Sequence, residues 1–375
     1  MKYCVSCLQP DTRPNAVFTS DGRCPACAYS GANIEIDWVE RYEILEDLVA
    51  PYRRKGNSGF DCIVGVSGGK DSTRQALWVR DKLEMNPLLV CLGQPPQQVS
   101  MLGVNNVSNL INLGFDTVLS SLAPETWRQL MRDSFLRFAN WARSTELALF
   151  SSVPQMAIRY EIPLVFWGEN PALQVGDLKT MGRNGYDGNN LRQSNTLSSG
   201  HDWMLQAGYR QEDIFRYMYP SESEFEKANI QIVYLGWFLG DWSLINNGMY
   251  SSAFGLGIRN EGPDQTGDLM GLSNLDEDWH NMNQMVKYLQ FGFGKVTEYV
   301  NEAMRDGTMD RATAIDLVER YDGQCSPRYI KSFCDFIGIT EAQFWQHVHA
   351  STNRELFDIG SDGQISRRFR VGVGL

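Results

Sequence analysis

Val64-Gly65-Val66-Ser67-Gly68-Gly69-Lys70-Asp71-Ser72 is the stretch from which the rest of the chain is read. It begins as an apolar run, Phe60 to Val66, in which Ile63-Val64-Gly65-Val66 lacks polar alternation, the pattern of a strand buried on both faces. Ser67-Gly68-Gly69 predicts a tight turn, and Ala76, Leu77, Val79 and Leu83 predict a helix over about Asp71 to Leu83. Strand, glycine turn and helix aim backbone N–H groups and a helix N-terminus at an anion. Glycine lets the backbone approach a phosphate without Cβ interference. Lys70 adds a positive charge, and the Ser67 and Ser72 hydroxyls add donors. The plain alternative is an ordinary glycine turn before a helix.

A mononucleotide loop needs Gly six residues before the Lys and Ser or Thr just after it; here those positions hold Val64 and Asp71. Ser67-Gly68-Gly69-Lys70-Asp71-Ser72 instead resembles the signature of the PP-loop ATP pyrophosphatases. That resemblance implies cleavage of ATP between the α and β phosphates and AMP transfer to a substrate oxygen. ATP binding then falls to Ser67, Gly68, Gly69, Lys70, Asp71, Ser72 and Gly168, and Asp71 suits Mg²⁺ as a hard oxygen ligand.

The chain has 375 residues, 43% hydrophobic and 21% charged, the balance of a globular protein with room for two or three modules. A net charge of −11 argues against a broad nucleic-acid face. No run approaches the ~18 apolar residues of a membrane span. Met1-Lys2-Tyr3-Cys4 opens no apolar signal segment, so a cytoplasmic protein is expected. Eight cysteines then suggest metal or thiol chemistry before disulfides.

Cys4-Val5-Ser6-Cys7 and Cys24-Pro25-Ala26-Cys27 are two Cys-x2-Cys knuckles with sixteen residues between them. The spacing brings four thiolates round one tetrahedral ion; Zn²⁺ is expected, in a structural ribbon over residues 1–35 with Val17 and Phe18 in a short strand. An iron–sulfur site or two redox pairs are the alternatives. A linker segment, 36–59, carries a helix over about Asp37 to Pro51 with Trp38, Tyr42, Leu45 and Val49 on one face.

Residues from about 60 to 240 read as alternating strands and helices, which implies an α/β domain, bounded at 60–275, with a parallel sheet covered on both faces. Further strands are expected at Leu88–Leu92, Asp116–Ser121, Ile162–Trp167 and Ile230–Leu239. A helix at Ser100–Leu113 should turn Leu110 and Ile111 inward. Ligands in such sheets sit at the carboxyl ends of the strands, so Ser67–Ser72 and Gly168-Glu169-Asn170 should meet there. Glu169 is a candidate for Mg²⁺ or a substrate amine, against the plain reading of a cap or surface turn. The pattern lapses over 171–223, as a lid or a surface insertion, where Asp177, Lys179, Arg183 and Tyr186 are, with Asn170, candidate substrate contacts. Residues 276–375 are helical; His347 and His349 do not share a helix face and are not read as metal ligands.

The combination resembles the bacterial N-acetyl sugar amidotransferases of the WbpG and PseA type. The ribbon, Ser67–Ser72 and Trp167-Gly168-Glu169-Asn170 carry that resemblance. So do Tyr288-Leu289-Gln290-Phe291-Gly292-Phe293-Gly294-Lys295 and Ala314-Ile315-Asp316-Leu317-Val318-Glu319-Arg320-Tyr321-Asp322-Gly323. It implies conversion of an acetamido to an acetamidino group on an N-acetylated sugar, expected on a nucleotide carrier, in lipopolysaccharide O-antigen or surface glycan synthesis. Lys70, Asp71 and Glu169 are then the catalytic residues, with ATP and Mg²⁺ as cofactors. The implied partners are glutaminase and ammonia-channel proteins resembling the subunits of imidazole glycerol phosphate synthase. An N-terminal-nucleophile glutaminase needs Cys after Met1, where this chain has Lys2, and neither Cys62 nor Cys91 sits on a nucleophile elbow, so ammonia is expected from elsewhere. A PP-loop tRNA thiolase and a non-catalytic zinc-ribbon adaptor are the competing readings.

Overall fold

In a computed structural model the described residues are 1–32, 36–53, 59–168, 176–177 and 184–375, the side chains of 195 and 196 excepted. A five-stranded sheet lies at the centre, built from β1 (Cys62–Val66), β2 (Pro87–Gly93), β3 (Thr117–Ser121), β4 (Leu164–Trp167) and β5 (Gln231–Tyr234). Every pairing is parallel and the order is β3-β2-β1-β4-β5. Successive side chains of a strand point to opposite faces, and here both faces are apolar. Ile63, Leu88, Val90, Val165 and Ile232 join one core, while Val64, Leu89, Cys91, Phe166 and Val233 join the other. That accounts for the unbroken hydrophobic runs.

The second face is covered by α2 (Trp38–Val49), α3 (Lys70–Asp81) and α4 (Met101–Asn112). α5 (Pro124–Phe138) and α6 (Ala142–Tyr160) cover the first. Their ends follow local chemistry. Asp37 caps α2 by accepting from Val39 N and Glu40 N, and Ser100 caps α4 by accepting from Gly103 N. Pro124 opens α5 at a position where its missing N–H costs nothing.

Several expectations change. The fifth strand is Gln231–Tyr234 alone; a 3-10 turn, Leu235–Trp237, follows, and a Cβ at Gly236 would collide with the Gly168 carbonyl and Trp242. Ile111 faces outward, 53% exposed, since the buried stripe of α4 runs through Gly103, Asn106 and Leu110. Trp38 and Tyr42 lie at the rim of the linker helix's buried face, Trp38 on Gly240 and Tyr42 edge-on to Trp78, while Leu45 and Val49 are enclosed. Val17 and Phe18 form no strand, and Val17 is 80% exposed. In the 171–223 stretch, the described part from 184 onward packs down rather than standing clear. Leu191, Trp203, Met204, Ile214 and Tyr217 are buried against α6 and the sheet. After it come α7 (Glu222–Ala228) and α8 (Leu244–Ala253).

The C-terminal helices are α9 (His280–Phe291), α10 (Lys295–Arg305), α11 (Arg311–Tyr321), α12 (Pro327–Ile337) and α13 (Glu341–Ser351), followed by a hairpin of β6 (Phe357–Ile359) and β7 (Ile365–Arg367). They extend the first core instead of forming a separate one. The N-terminal cysteine unit, including α1 (Pro25–Ala32), docks on them. Leu8 N donates to Asn301 Oδ1 at 2.7 Å, Arg311 Nη1 to the Cys7 carbonyl at 2.8 Å, and Arg13 pairs with Glu298 at 2.7 Å. Arg13 and Lys287 converge on Glu298; burial lifts its pKa, but the two cations and Lys295 outweigh burial and hold the carboxyl well below its ordinary range. Among the described residues no helix is long and apolar enough to cross a membrane.

Candidate active site and cysteine cluster

The strand order reverses between β1 and β4, and an open α/β sheet binds its ligand at the carboxyl ends flanking that switch point. A cavity of about 310 Å³ lies there. Its floor is Gly65, Val66 and the Ser67–Ser72 turn, with Trp167 of β4 and Gly168 just after it alongside and Val90 and Leu92 from β2. Gly68 has φ +77°, and a Cβ there would press within about 3.2 Å of the Gly103 carbonyl, Asn106 and Val107. The turn is therefore both left-handed and crowded, which is why glycine stands there. Ser72 Oγ pins it, accepting from Ser67 N at 3.3 Å and donating to the Gly69 carbonyl at 3.2 Å.

Lys70 is 9% exposed, and its Nζ lies 2.9 Å from Asp71 Oδ2. Burial pulls the ammonium down, but Asp71, with Glu302 and Asp268 beyond it, outweighs that and raises its pKa overall. Burial pushes the Asp71 carboxyl up, while Lys70, Asn247 and Lys295 pull it down further. Asp71 is thus an anion with 40% of its side chain open to the cavity side. A hard cation suits that oxygen donor.

The sequence did not announce what orients Asp71. Asn247 of α8, 1% exposed, donates to Asp71 Oδ1 at 2.6 Å and accepts from Arg74 Nη1 at 2.7 Å. Arg74 is anchored in turn to Asp241, at 2.6 Å from its carboxylate and 3.1 Å from its carbonyl. Ser251 Oγ donates to the Lys70 carbonyl at 2.6 Å. Gln75, 2% exposed, also lines the cavity, and its Nε2 finds no partner among the described residues. It sits one turn after Ser72 on α3, the one sequence signal that pointed to it. A buried donor without an acceptor is costly, and a bound ligand would supply one.

The far wall comes from the C-terminal part of the chain: Leu272 to Asp276 and Lys295. Arg259, 7% exposed, shapes that segment, donating to the carbonyls of Asn274 and Glu277 at 2.5 Å each and pairing with Asp278 at 2.7 Å. Asp276 accepts from Gln94 at 2.9 Å, and burial holds its pKa above the ordinary carboxylate range. Lys295 opens α10, and its side chain forms no hydrogen bond or ion pair among the described residues. The turn ahead of it is held by buried Asp322, which accepts from Gly294 N, Val296 N and Thr297 Oγ1 at 2.8, 3.0 and 2.6 Å.

Of the residues singled out from sequence, Ser67, Gly69, Lys70, Asp71, Ser72 and Gly168 line the cavity together, with Gly68 shaping the turn behind them. Glu169, Asn170, Lys179 and Arg183 lie outside the described residues. Tyr186 does not line the cavity. Its carbonyl accepts from Tyr234 N at the sheet edge, and its ring packs on Trp237 and Phe238. Asp177 is also absent from the lining, and the neighbouring Gly176 abuts Pro25 and Ala26 of the cysteine unit.

Cys4, Cys7, Cys24 and Cys27 are buried, and their Sγ atoms all lie within 4.8 Å of one another. Four sulfurs bound at ~2.3 Å round a tetrahedral ion stand about 3.8 Å apart. Cys7 Sγ and Cys24 Sγ are 3.7 Å apart. Backbone N–H groups of Ser6, Gln9 and Cys24 point at the sulfurs from 3.2 to 3.4 Å, the environment that stabilises thiolates. The donor set fits a closed four-sulfur metal site.

Residues 272–368 match the family model of the LPS biosynthesis protein WbpG-like, C-terminal domain, so this part of the chain is similar to that domain. Both the 272–276 segment and Lys295 fall within it. No curated protein sequence matches the chain. Among solved structures the chain is similar to NH3-dependent NAD synthetase from Campylobacter jejuni subsp. jejuni NCTC 11168 in complex with the nitrate ion, at 15% identity over 60% of this chain and 100% of that chain, with a TM-score of 0.28.

Proposed function

We propose that the chain is an ATP-dependent, AMP-forming amidotransferase that turns the acetamido group of an N-acetylated sugar into an acetamidino group. The observation that carries this reading is one cavity in which a Ser-Gly-Gly-Lys-Asp-Ser turn faces charged groups of a WbpG-like domain. An amide carbonyl is a poor electrophile, and oxygen leaves it poorly. Attack of the acetamide oxygen on the α phosphorus breaks the bond to the β phosphate and releases pyrophosphate. Ammonia then adds to the imidate carbon, the carbon–oxygen bond breaks, and AMP departs with the amidine formed.

The residues match those needs. The turn amides and Lys70 receive the β and γ phosphates, and Lys295 faces the leaving pyrophosphate from the opposite wall. Asp71 would hold Mg²⁺, which when bound neutralises charge on the phosphates. Gln75 offers its free N–H to the nucleotide. Asp276, whose burial favours the protonated form, takes a proton as nitrogen adds. The four cysteines would hold Zn²⁺ in a structural role, since four sulfur ligands leave no open position.

Ammonia would come from a separate glutaminase and channel protein. Burial pushes the Cys62 thiol well up and those of Cys91, Cys325 and Cys334 to about 12, so none is a ready thiolate. The same fact weighs against a thiolase. The test is mass spectrometry of purified protein with ATP, Mg²⁺, an ammonium salt and a panel of nucleotide-linked acetamido sugars. Replacement of one acetamido oxygen by NH, with AMP and pyrophosphate formed, is the expected result. ATP hydrolysed to ADP, or a thiolated RNA product, would overturn it. A lipopolysaccharide or other surface-glycan pathway is the setting in which such a product is used.

A further inference from the structure

The WbpG-like region contains a second and larger cavity, of about 720 Å³, which shares no lining residue with the nucleotide cavity. All of its lining, from Met285 to Arg367, lies inside the family match. The volume falls in the range of pockets that enclose small molecules. The two cavities flank one turn. Asp322 lines the larger one and holds Gly294 N and Val296 N, while Lys295 between them lines the other.

The lining sorts into two chemistries. Tyr288, Trp345 and Phe357 give apolar ring surface. Gln364 and His349 add polar side chains whose side-chain atoms form no hydrogen bond among the described residues. The charge is unfavourable for an anion: Glu319, Asp322 and Asp362 stand against Arg367, which is itself 3.9 Å from Glu319. Asp322 is already consumed by the α10 turn. A phosphate or a nucleotide has no built partner here. A purely apolar ligand would strand the amide and the imidazole.

A pyranose ring meets both conditions. Its C–H face packs on an aromatic ring, and its hydroxyls both donate and accept, which suits amide, imidazole and carboxylate together. We infer that this cavity, walled by Trp345, Tyr288 and Gln364, binds an uncharged saccharide unit at a site separate from the nucleotide cavity. It goes beyond the amidotransferase reading, resting on it only for the expectation that the chain handles sugars. Glycan bound there contacts the side of the turn opposite Lys295, so the region that closes the nucleotide cavity also reads the carbohydrate.

The experiment is saturation-transfer NMR on the full chain, without ATP, using uncharged mono- and disaccharides, N-acetylglucosamine and its dimer among them. Ring-proton transfer is expected from the wild type at millimolar sugar. It should fall at least fivefold in Trp345→Ala and in Gln364→Ala, and persist in Lys70→Ala. Gln364 lies on an exposed hairpin, so that variant keeps the fold if Trp345→Ala does not. No transfer to the wild type would overturn the assignment. So would transfer untouched by either cavity variant, or transfer displaced by ATP. Because nothing is turned over, a chain that bound sugar here but made no AMP would refute the amidotransferase alone.

Discussion

Replacing Asn247 by Ala tests whether α8 sets the reactive geometry of the Ser67–Ser72 turn. The side chain makes two short hydrogen bonds to charged groups, 2.6 Å to Asp71 and 2.7 Å from Arg74. Bonds of that kind contribute roughly 1.5–3 kcal/mol each. The sum overstates the loss. Asp71 is 40% exposed and regains water, and Arg74 keeps both bonds to Asp241. About 2 kcal/mol of folding stability should go, a shift readable as a lower urea midpoint. The catalytic effect should be larger in proportion. Among the described residues Asp71 would then be held by Lys70 alone, so its carboxylate would be free to swing. Pyrophosphate release should slow by about 10²-fold, the scale lost when a positioned charged group is misaligned. Half-maximal Mg²⁺ should rise at the same time. Asn247→Asp separates the two roles: it keeps a partner for Arg74 but sets a second carboxylate beside Asp71, so it should be better folded than Asn247→Ala and no more active. An Asn247→Ala protein with unchanged Mg²⁺ dependence and pyrophosphate rate would refute the claim that this helix orients the metal-binding carboxylate.

Lys295→Ala should leave the fold intact, since the side chain has no bond to lose among the described residues, and slow pyrophosphate formation by about 10²-fold with little change in ATP binding, as a group felt mainly in the transition state does. Cys24→Ser, or removal of the metal with a chelator, should release about one equivalent of zinc and loosen the contacts of Leu8, Arg13 and Arg311, seen as faster amide exchange in α10 and α11; an iron spectrum or a disulfide mass would overturn the zinc assignment. His280 is 25% exposed, and burial first, then Lys295 and Lys287, depress its pKa from 6.5 to about 3. The unfolded chain therefore binds a proton that the folded chain refuses, and the stability present above pH about 6.5 is lost as pH falls toward about 3; allowing for solvent screening, about 1 kcal/mol should disappear between pH 7 and 5, and His280→Gln should remove that slope. Asp276→Asn should flatten the acid limb of the amidine-forming rate while leaving ATP binding in place.

The sheet was legible because strands buried on both faces cannot alternate polar and apolar residues, and Ile63-Val64, Leu88–Leu92 and Leu164–Phe166 do not. The helices read from Asp37 and Ser100 begin within a residue of those positions, each of which proves to be the capping residue. The turn was legible because it is contiguous: the glycines, Lys70 and Asp71 stand side by side in the sequence. So was the cysteine cluster, whose two knuckles carry their own spacing. The docking of that cluster on α10 and α11 was not readable, because Leu8–Asn301 and Cys7–Arg311 join positions about three hundred residues apart. The place of Tyr186 was unreadable for a related reason. Polar and aromatic residues in a Gly- and Asn-rich stretch look the same whether they face a substrate or close a sheet edge, and Tyr186 closes the edge of β5.

By itself, then, the amino-acid order determined what short-range rules can encode: unbroken apolar strands, helical periodicity, a Gly-Gly-Lys-Asp turn and a four-cysteine set. Tertiary structure alone decided that Asn247 grips Asp71, that Gln75 Nε2 has no partner among the described residues, and that Lys295 lines the same cavity as Lys70. The first of these depends on how α8 packs against α3, and the others on which elements close round the cavity. Packing is set by the shapes of whole faces, and no local run of residues carries that information.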